Sequence, residues 1–166
     1  MSLHASKFHL VCGYAASGKS TLAQQLALEQ GAILLSEDHW LSALFPDELL
    51  TLADYVRCNM RLRKALGPHV VALLQGGQSV VMDFAANTVE VRAWLNGLAR
   101  EAEVTPMLHF LDVPQDVCWQ RARARNQAGR HEFQLSKDQF DKLAFHFEPP
   151  DESEGFEVKR HKPERL

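Results

Sequence analysis

The stretch HLVCGYAASGKST, His9–Thr21, decides how the rest of this sequence is read. An apolar run, FHLVC (8–12), leads into Gly13, Gly18, Lys19 and the hydroxyls of Ser20 and Thr21, and an amphipathic segment, STLAQQLALEQ, follows. GYAASGKS satisfies the spacing G-x-x-x-x-G-K-[ST] between a strand and a helix, the setting in which that spacing binds phosphate. Gly13 and Gly18 allow backbone conformations closed to other residues, so the amides of Ala15, Ala16, Ser17 and Gly18 can turn inward around an anion. The helix that starts beside Gly18 adds its unpaired N–H groups and the positive end of its dipole. Lys19 is a mobile charge able to reach β- and γ-phosphates. Ser20 offers an oxygen to Mg²⁺, and Thr21 packs or bonds beside it.

The bulk properties narrow the setting. The chain has 166 residues, 46% hydrophobic and 23% charged, with a net charge of −3 and a pI near 6.2. A domain that lives on long nucleic acid carries an excess of Lys and Arg, which is absent here. Cys12, Cys58 and Cys118 are odd in number and far apart, which suits buried reduced thiols rather than disulfides or zinc. MSLHASK at the start lacks the apolar core of a signal peptide, and no apolar run nears the length of a membrane span. A single domain over 1–166, in the cytoplasm, is expected.

Apolar runs at 8–12, 32–35, 79–83 and 107–113, with a weaker one at 155–160, alternate with helical patterns at about 18–30, 51–75, 88–102, 115–128 and 136–146. That alternation predicts an α/β fold with a parallel sheet and helices on both faces. Right-handed crossovers place all strand C-termini along one edge, where ligands bind. Gly31, Gly76–Gly77 and Pro114 punctuate the helices. EPPDESE (148–154) reads as a loop before the last strand, and its acids are candidate partners for the basic residues at 121–130.

Three further groups fall at that edge. LLSEDHW puts Glu37 and Asp38 just past the second strand, where Asp38 is the stronger candidate to take a proton from an acceptor hydroxyl; helix capping by Ser36 or Asp38 is the alternative. SVVMDF delivers Asp83, able to hold Mg²⁺ or orient the acceptor, and Asn87 either supports that group or caps the next helix. WQRARARNQAGRHEF carries Arg121 and Arg125 on one helix face, with Arg123 pointing away. Gly129 then opens a flexible lid, about 123–135, from which Arg125 or Arg130 can close over the γ-phosphate. Arg57 and Arg61 on the long helix read as a solvated face.

Taken in order, GYAASGKST, SEDHW, VVMDF, FLDVP, the arginine-rich helix and FEPPDESEGFEV resemble the small P-loop kinases grouped with polynucleotide 5′-kinase, zeta-toxin-like kinases and gluconate kinase. The resemblance implies a three-layer P-loop NTPase fold with strand order 2-3-1-4-5, and ATP and Mg²⁺ as cofactors. It implies Asp38 as general base, Asp83 as a positioning group, Arg121 near the nucleotide, and Arg125 or Arg130 as the lid arginine. RARARNQAGRHEFQLSKDQFDKL looks particularly like the gluconate-kinase lid. Two positions depart from the group: polynucleotide kinases usually carry an arginine where Leu41 stands, and gluconate kinases usually lack the aspartate found at Asp83. The expected activity is transfer of the γ-phosphate to a hydroxyl of a small molecule. Alternatives are a polynucleotide or nucleoside 5′-hydroxyl kinase, and an ATP-binding module that signals to a protein partner.

Overall fold

Strands that are apolar on both sides must be covered on both sides, and the computed structural model, which describes residues 5–129 and 134–163, shows what covers them. The elements run β1 (Phe8–Cys12), α1 (Lys19–Gln30), β2 (Ile33–Ser36), α2 (Glu37–Leu44), α3 (Leu52–Gln75), β3 (Val80–Ala85), α4 (Val89–Glu101), β4 (Pro106–Leu111), α5 (Gln115–Ala128), α6 (Lys137–Phe145), a 3₁₀ turn (Glu152–Glu154) and β5 (Glu157–His161). The five strands lie in the order β2-β3-β1-β4-β5, and every neighbouring pair is parallel. This is the α/β fold and strand order expected. Among the described residues no helix is long and apolar enough to cross a membrane.

Alternation along the strands divides the core. Phe8, Leu10 and Cys12 of β1, with Val80, Met82 and Phe84 of β3, pack against α3 and α4. Val11 and Val81 point the other way, onto Ala23 and Leu26 of α1. Leu111, the last residue of β4, and Val113 just past it join Cys118 and Ala122 of α5 and Phe140 of α6. On α3 the i, i+4 stripe Cys58, Leu62, Leu66, Val70 and Leu74 is buried. At about 1.5–3 kcal/mol for each buried leucine, the stripe outweighs the ~3 kcal/mol cost of Pro68 within the helix. Gly31, at φ 59°, terminates α1 as its spacing predicts.

Three local features differ from the sequence reading. Residues 37–44 form a helix of their own, because β2 runs straight into α2 with no intervening loop and Ser36 Oγ accepts from the His39 N–H at 3.5 Å. Residues 148–154 are not wholly irregular. Asp151 and Glu154 cap a 3₁₀ turn reciprocally, through Ser153 N–H to Asp151 Oδ1 and Asp151 N–H to Glu154 Oε1, both 2.8 Å. These acids meet Arg92 of α4, not the arginines of α5, with Arg92 Nε donating to Glu154 Oε2 at 2.7 Å. The segment expected as a lid continues α5 as far as Ala128, where Gly129 at φ 62° ends the helix. Asn126 then grips Leu135 through both backbone groups; Arg130 lies outside the described residues.

Across the sheet, from the second residue of β1 to the last of β5, three imidazoles form a ladder. His9 Nδ1 lies 3.0 Å from His109 Nε2, and His109 Nδ1 lies 2.9 Å from His161 Nε2. Burial depresses all three, His109 down to about 4, with each imidazole and Lys159 adding to the effect on His109. The folded state therefore excludes protons that the unfolded chain takes up near pH 6.5, so this stability is complete above pH 6.5 and lost as pH falls toward 4. Urea unfolding at pH 7.5 and pH 4.5 should show wild type losing on the order of 2 kcal/mol over that interval, and His109→Gln losing clearly less. Parallel losses in the two proteins would remove the ladder as the cause.

Candidate active site

Gly13 follows the last residue of the central strand and turns the chain with φ 149°. A Cβ there would sit 2.7 Å from Ser17 Oγ and 2.9 Å from the Leu111 carbonyl oxygen, so only glycine fits. Ala16 at φ 61° and Gly18 at φ 102° complete the loop, tied by Ser17 N–H to Tyr14 O at 3.1 Å. Gly18 caps α1 with no side chain, and the first turn contains no acid. The helix N-terminus therefore presents uncompensated N–H groups and positive dipole. Lys19 Nζ donates to Gly13 O at 2.8 Å and Tyr14 O at 2.7 Å. Burial pushes its ammonium below the usual lysine range, while the charges of Asp83 and, more weakly, Asp38 act against this. Ser20 and Thr21 are exposed in the first turn.

A register slip brings the second acid in. Along β1 the pairing runs Phe8–Val80, His9–Val81, Leu10–Met82 and then Val11–Ala85, passing over Asp83 and Phe84. Asp83 stays level with Ser36 on the β2 side, and the Ser20 hydroxyl and the Lys19 charge both act on its carboxyl. Burial raises its pKa, and those two partners hold it down. Ser20 and Asp83 are hard oxygen ligands side by side at the mouth of the cradle, a donor set that fits Mg²⁺.

The first turn of α2 carries two acids with different environments. Asp38 is half-buried, and its charge acts on Lys19 and on Arg125. Glu37 is buried among α3 side chains: Tyr55 Oη donates to Oε2 at 2.9 Å, Asn59 Nδ2 donates to Oε1, and Arg63 Nη2 is 3.7 Å from Oε1. Burial raises the Glu37 pKa against these partners. Arg63 also stacks over Trp94, 5.2 Å from the ring centre. Glu37 thus fastens α2 to α3, leaving Asp38 at the cradle.

From α5, Arg121 Nη1 donates to Ser17 O at 3.4 Å. Arg125 has its Nε buried with no hydrogen-bond partner among the described residues; burial lowers its pKa and the Asp38 charge opposes that. Lys19, Ser20, Asp38, Asp83, Arg121 and Arg125 therefore share one edge. Arg57 and Arg61 are exposed and pair with Asp54 and Glu48. Burial pushes the Cys12 thiol up to about 11, which removes it as a nucleophile near neutral pH. Asn87 does not cap α4, since Thr88 Oγ1 accepts from Val91 N–H at 3.2 Å. Asn87 instead bonds both backbone groups of Gly13, N–H to Oδ1 at 2.9 Å and Nδ2 to O at 2.8 Å. Its place four residues after Asp83 is the only signal of this; Arg63 stands out only as one of the basic cluster Arg57, Arg61, Arg63 and Lys64, and Tyr55, Asn59 and Arg92 give none.

Residues 8–150 match the AAA domain family. The chain belongs to that family. No curated protein matches the sequence. Among solved structures this AAA domain is similar to a candidate kinase from Chloroflexus aurantiacus, with 23% identity over 95% of this chain and 85% of the other, at a TM-score of 0.74. It is similar to Chaetomium thermophilum Kti12, in complex with ADP-AlF3, with 16% identity over 94% and 89% and a TM-score of 0.70. It is also similar to the Mycobacterium tuberculosis APS kinase CysC, in complex with AMPPNP and APS, with 23% identity over 98% and 91% and a TM-score of 0.65. At these identities what is shared is the fold. The resemblance to small P-loop kinases is borne out at that level and by the AAA domain family itself.

Two substitutions separate the roles assigned above. Gly13→Ala should lower stability by roughly 1–3 kcal/mol and abolish ATP binding, because a backbone carbonyl stands in the way of the Cβ. Gly31→Ala, with open space around it, should cost about 1 kcal/mol and leave ATP binding intact. Denaturation and calorimetric titration of both variants make the comparison. Glu37→Ala, which takes the shared acceptor from Tyr55 and Asn59 and the counter-charge from half-buried Arg63, should lose about 3 kcal/mol in the same denaturation assay; a loss no larger than that of Asp38→Asn would refute its role as a fastener.

Proposed function

We propose that this chain transfers the γ-phosphate of ATP to a hydroxyl of a small-molecule acceptor. One observation supports the reading: Asp38 lies in the first turn of α2, directly after β2 at the edge where the strand C-termini meet the loop, and its charge acts on both Lys19 and Arg125. A carboxylate placed among cations at the end of a phosphate loop is where an acceptor hydroxyl would meet the γ-phosphate.

Lys19 leaves the two loop carbonyls for the β- and γ-phosphates, and the α1 amides surround the chain. Ser20 and Asp83 would hold Mg²⁺, which supplies neutralising charge to the phosphate oxygens. Asp38 accepts the hydroxyl proton as the acceptor oxygen bonds to the γ-phosphorus and the bond to the β-phosphate oxygen breaks, releasing ADP. Arg121 and Arg125 face the charge that spreads over the transferring group, with Arg130 a further candidate. Reduced thiols and dependence on ATP suit a cytoplasmic setting.

Several features favour a small acceptor over nucleic acid. Leu41, at the position where polynucleotide kinases carry an arginine, is fully buried in α2. Arg57 and Arg61 are already paired with acids. The pI near 6.2 offers no electrostatic footprint for a long polyanion. A second reading, a nucleotide-dependent module that docks a protein partner, is favoured by an exposed apolar row at Leu50, Leu52, Val56 and Met60.

ADP release from ATP and Mg²⁺ across sugars, sugar acids, nucleosides, aminocyclitols and 5′-hydroxyl oligonucleotides tests the proposal. Stimulation by one small-molecule class is expected, lost in Lys19→Ala and reduced roughly 10²–10⁴-fold in Asp38→Asn with ATP binding nearly unchanged. Unchanged turnover in Asp38→Asn would remove it as the base. Tight ATP binding with no stimulation by any class would move the balance to the docking module.

A further inference from the structure

The turn after β3 crosses the end of β1 and is fastened from several sides. Ala86 N–H donates to Val11 O at 3.0 Å, and Glu148 N–H donates to Asn87 O at 2.9 Å. Arg92, fully buried, sends Nη1 to Ala86 O at 3.0 Å and to Glu148 O at 2.8 Å while Nε holds Glu154. Glu148 Oε2 accepts from Val89 N–H at 2.8 Å, closing the strap 148–154 onto the start of α4. With its backbone held in this way, the Asn87 side chain lies against the peptide groups of Gly13, donor to acceptor and acceptor to donor.

The Gly13 carbonyl is shared. It accepts from Asn87 Nδ2 and, at 2.8 Å, from Lys19 Nζ. Lys19 cannot bind a phosphate without leaving this oxygen and that of Tyr14. A part-buried carbonyl stripped of its only donor loses the free energy of an unmade hydrogen bond, and that loss would count against nucleotide binding. Asn87 removes it for Gly13, because its amide remains on the oxygen after Lys19 has gone. The same amide holds the Gly13 N–H, so the first peptide of the loop does not reorient as the lysine moves.

We propose that Asn87 is a positioning residue of the phosphate cradle, setting affinity for the phosphate chain of the nucleotide without touching it. The strap 148–154, clamped by Arg92, keeps it in place. This rests on the loop being an ATP site. Calorimetric titration with ATP compares wild type, Asn87→Ala and Thr88→Ala. Thr88 caps α4 from the same turn and, in the described contacts, has no bond to Gly13, so its loss loosens the turn alone.

Asn87→Ala should raise the Kd for ATP roughly tenfold or more at a binding stoichiometry near that of wild type. Thr88→Ala should lower the Tm and leave the Kd within about twofold. A purely structural role for Asn87 would lower stoichiometry and leave the Kd in place. Equal Kd values for wild type and Asn87→Ala, or equal weakening by Thr88→Ala, would overturn the assignment while the ATP site stands. Failure of wild type to bind ATP would overturn that site and this inference together. Should Asn87→Ala not fold, Asn87→Asp has nearly the same size and cannot donate to the Gly13 oxygen; an unchanged Kd in that variant is equally decisive.

Discussion

The backbone of Gly13 has no room for a side chain, and the rest of the active edge is arranged around that confinement. Its φ of 149° brings the loop back over the end of the central strand, against Ser17 and the Leu111 carbonyl. Because β1 is flanked by β3 and β4, whatever leaves the ends of those strands arrives beside this loop. Right-handed crossovers between parallel strands make that convergence general. The slip between β1 and β3 makes it specific, since without it Asp83 and Asn87 would fall elsewhere along the ladder.

Two buried ionic clusters flank the cradle. On one side Glu37 joins α2 to α3 through Tyr55, Asn59 and Arg63; on the other, Arg92 joins α4 to the strap before β5. Buried charges cost desolvation, and Glu37 and Arg92 are tolerated because their hydrogen-bonding capacity is largely met, whereas Arg63 is half-buried and held by its charge and by Trp94. Exposed pairs such as Lys137 with Asp141 and Arg57 with Asp54 contribute little by comparison. The consequence for chemistry is a division among the acids: Glu37 is committed to structure, whereas Asp38 and Asp83 remain half-buried beside Lys19. A charge of that kind can change partners at modest cost.

Local patterns made most of the fold legible. The Gly13–Ser20 spacing marked the cradle, apolar runs marked the strands to within two residues, and the α5 boundaries fell at 115 and 128 as its pattern indicates. The short α2 is legible only through the Ser36 cap offered as the alternative for SEDHW, because eight residues contiguous with a strand show neither a clear period nor a break. The acids of 148–154 pair with an arginine that charge alone does not single out, since it cannot tell Arg92, buried on α4, from the basic residues of α5. Asn87 was ambiguous for a similar reason, since Asn followed by Thr offers two equivalent caps and only geometry chose Thr88.

The sequence by itself determined the strand-helix alternation, the phosphate loop and the set of charged residues near the strand ends, because each depends on neighbours within a turn or two of the chain. Only the tertiary structure decided which of two adjacent acids is buried, which arginine becomes a clamp and which amide holds Gly13. Those choices depend on burial and hydrogen bonding between distant residues, Gly13 with Asn87 and Arg92 with Glu154. The energy of such a contact is set by the space around it, and that space exists only once the sheet has formed.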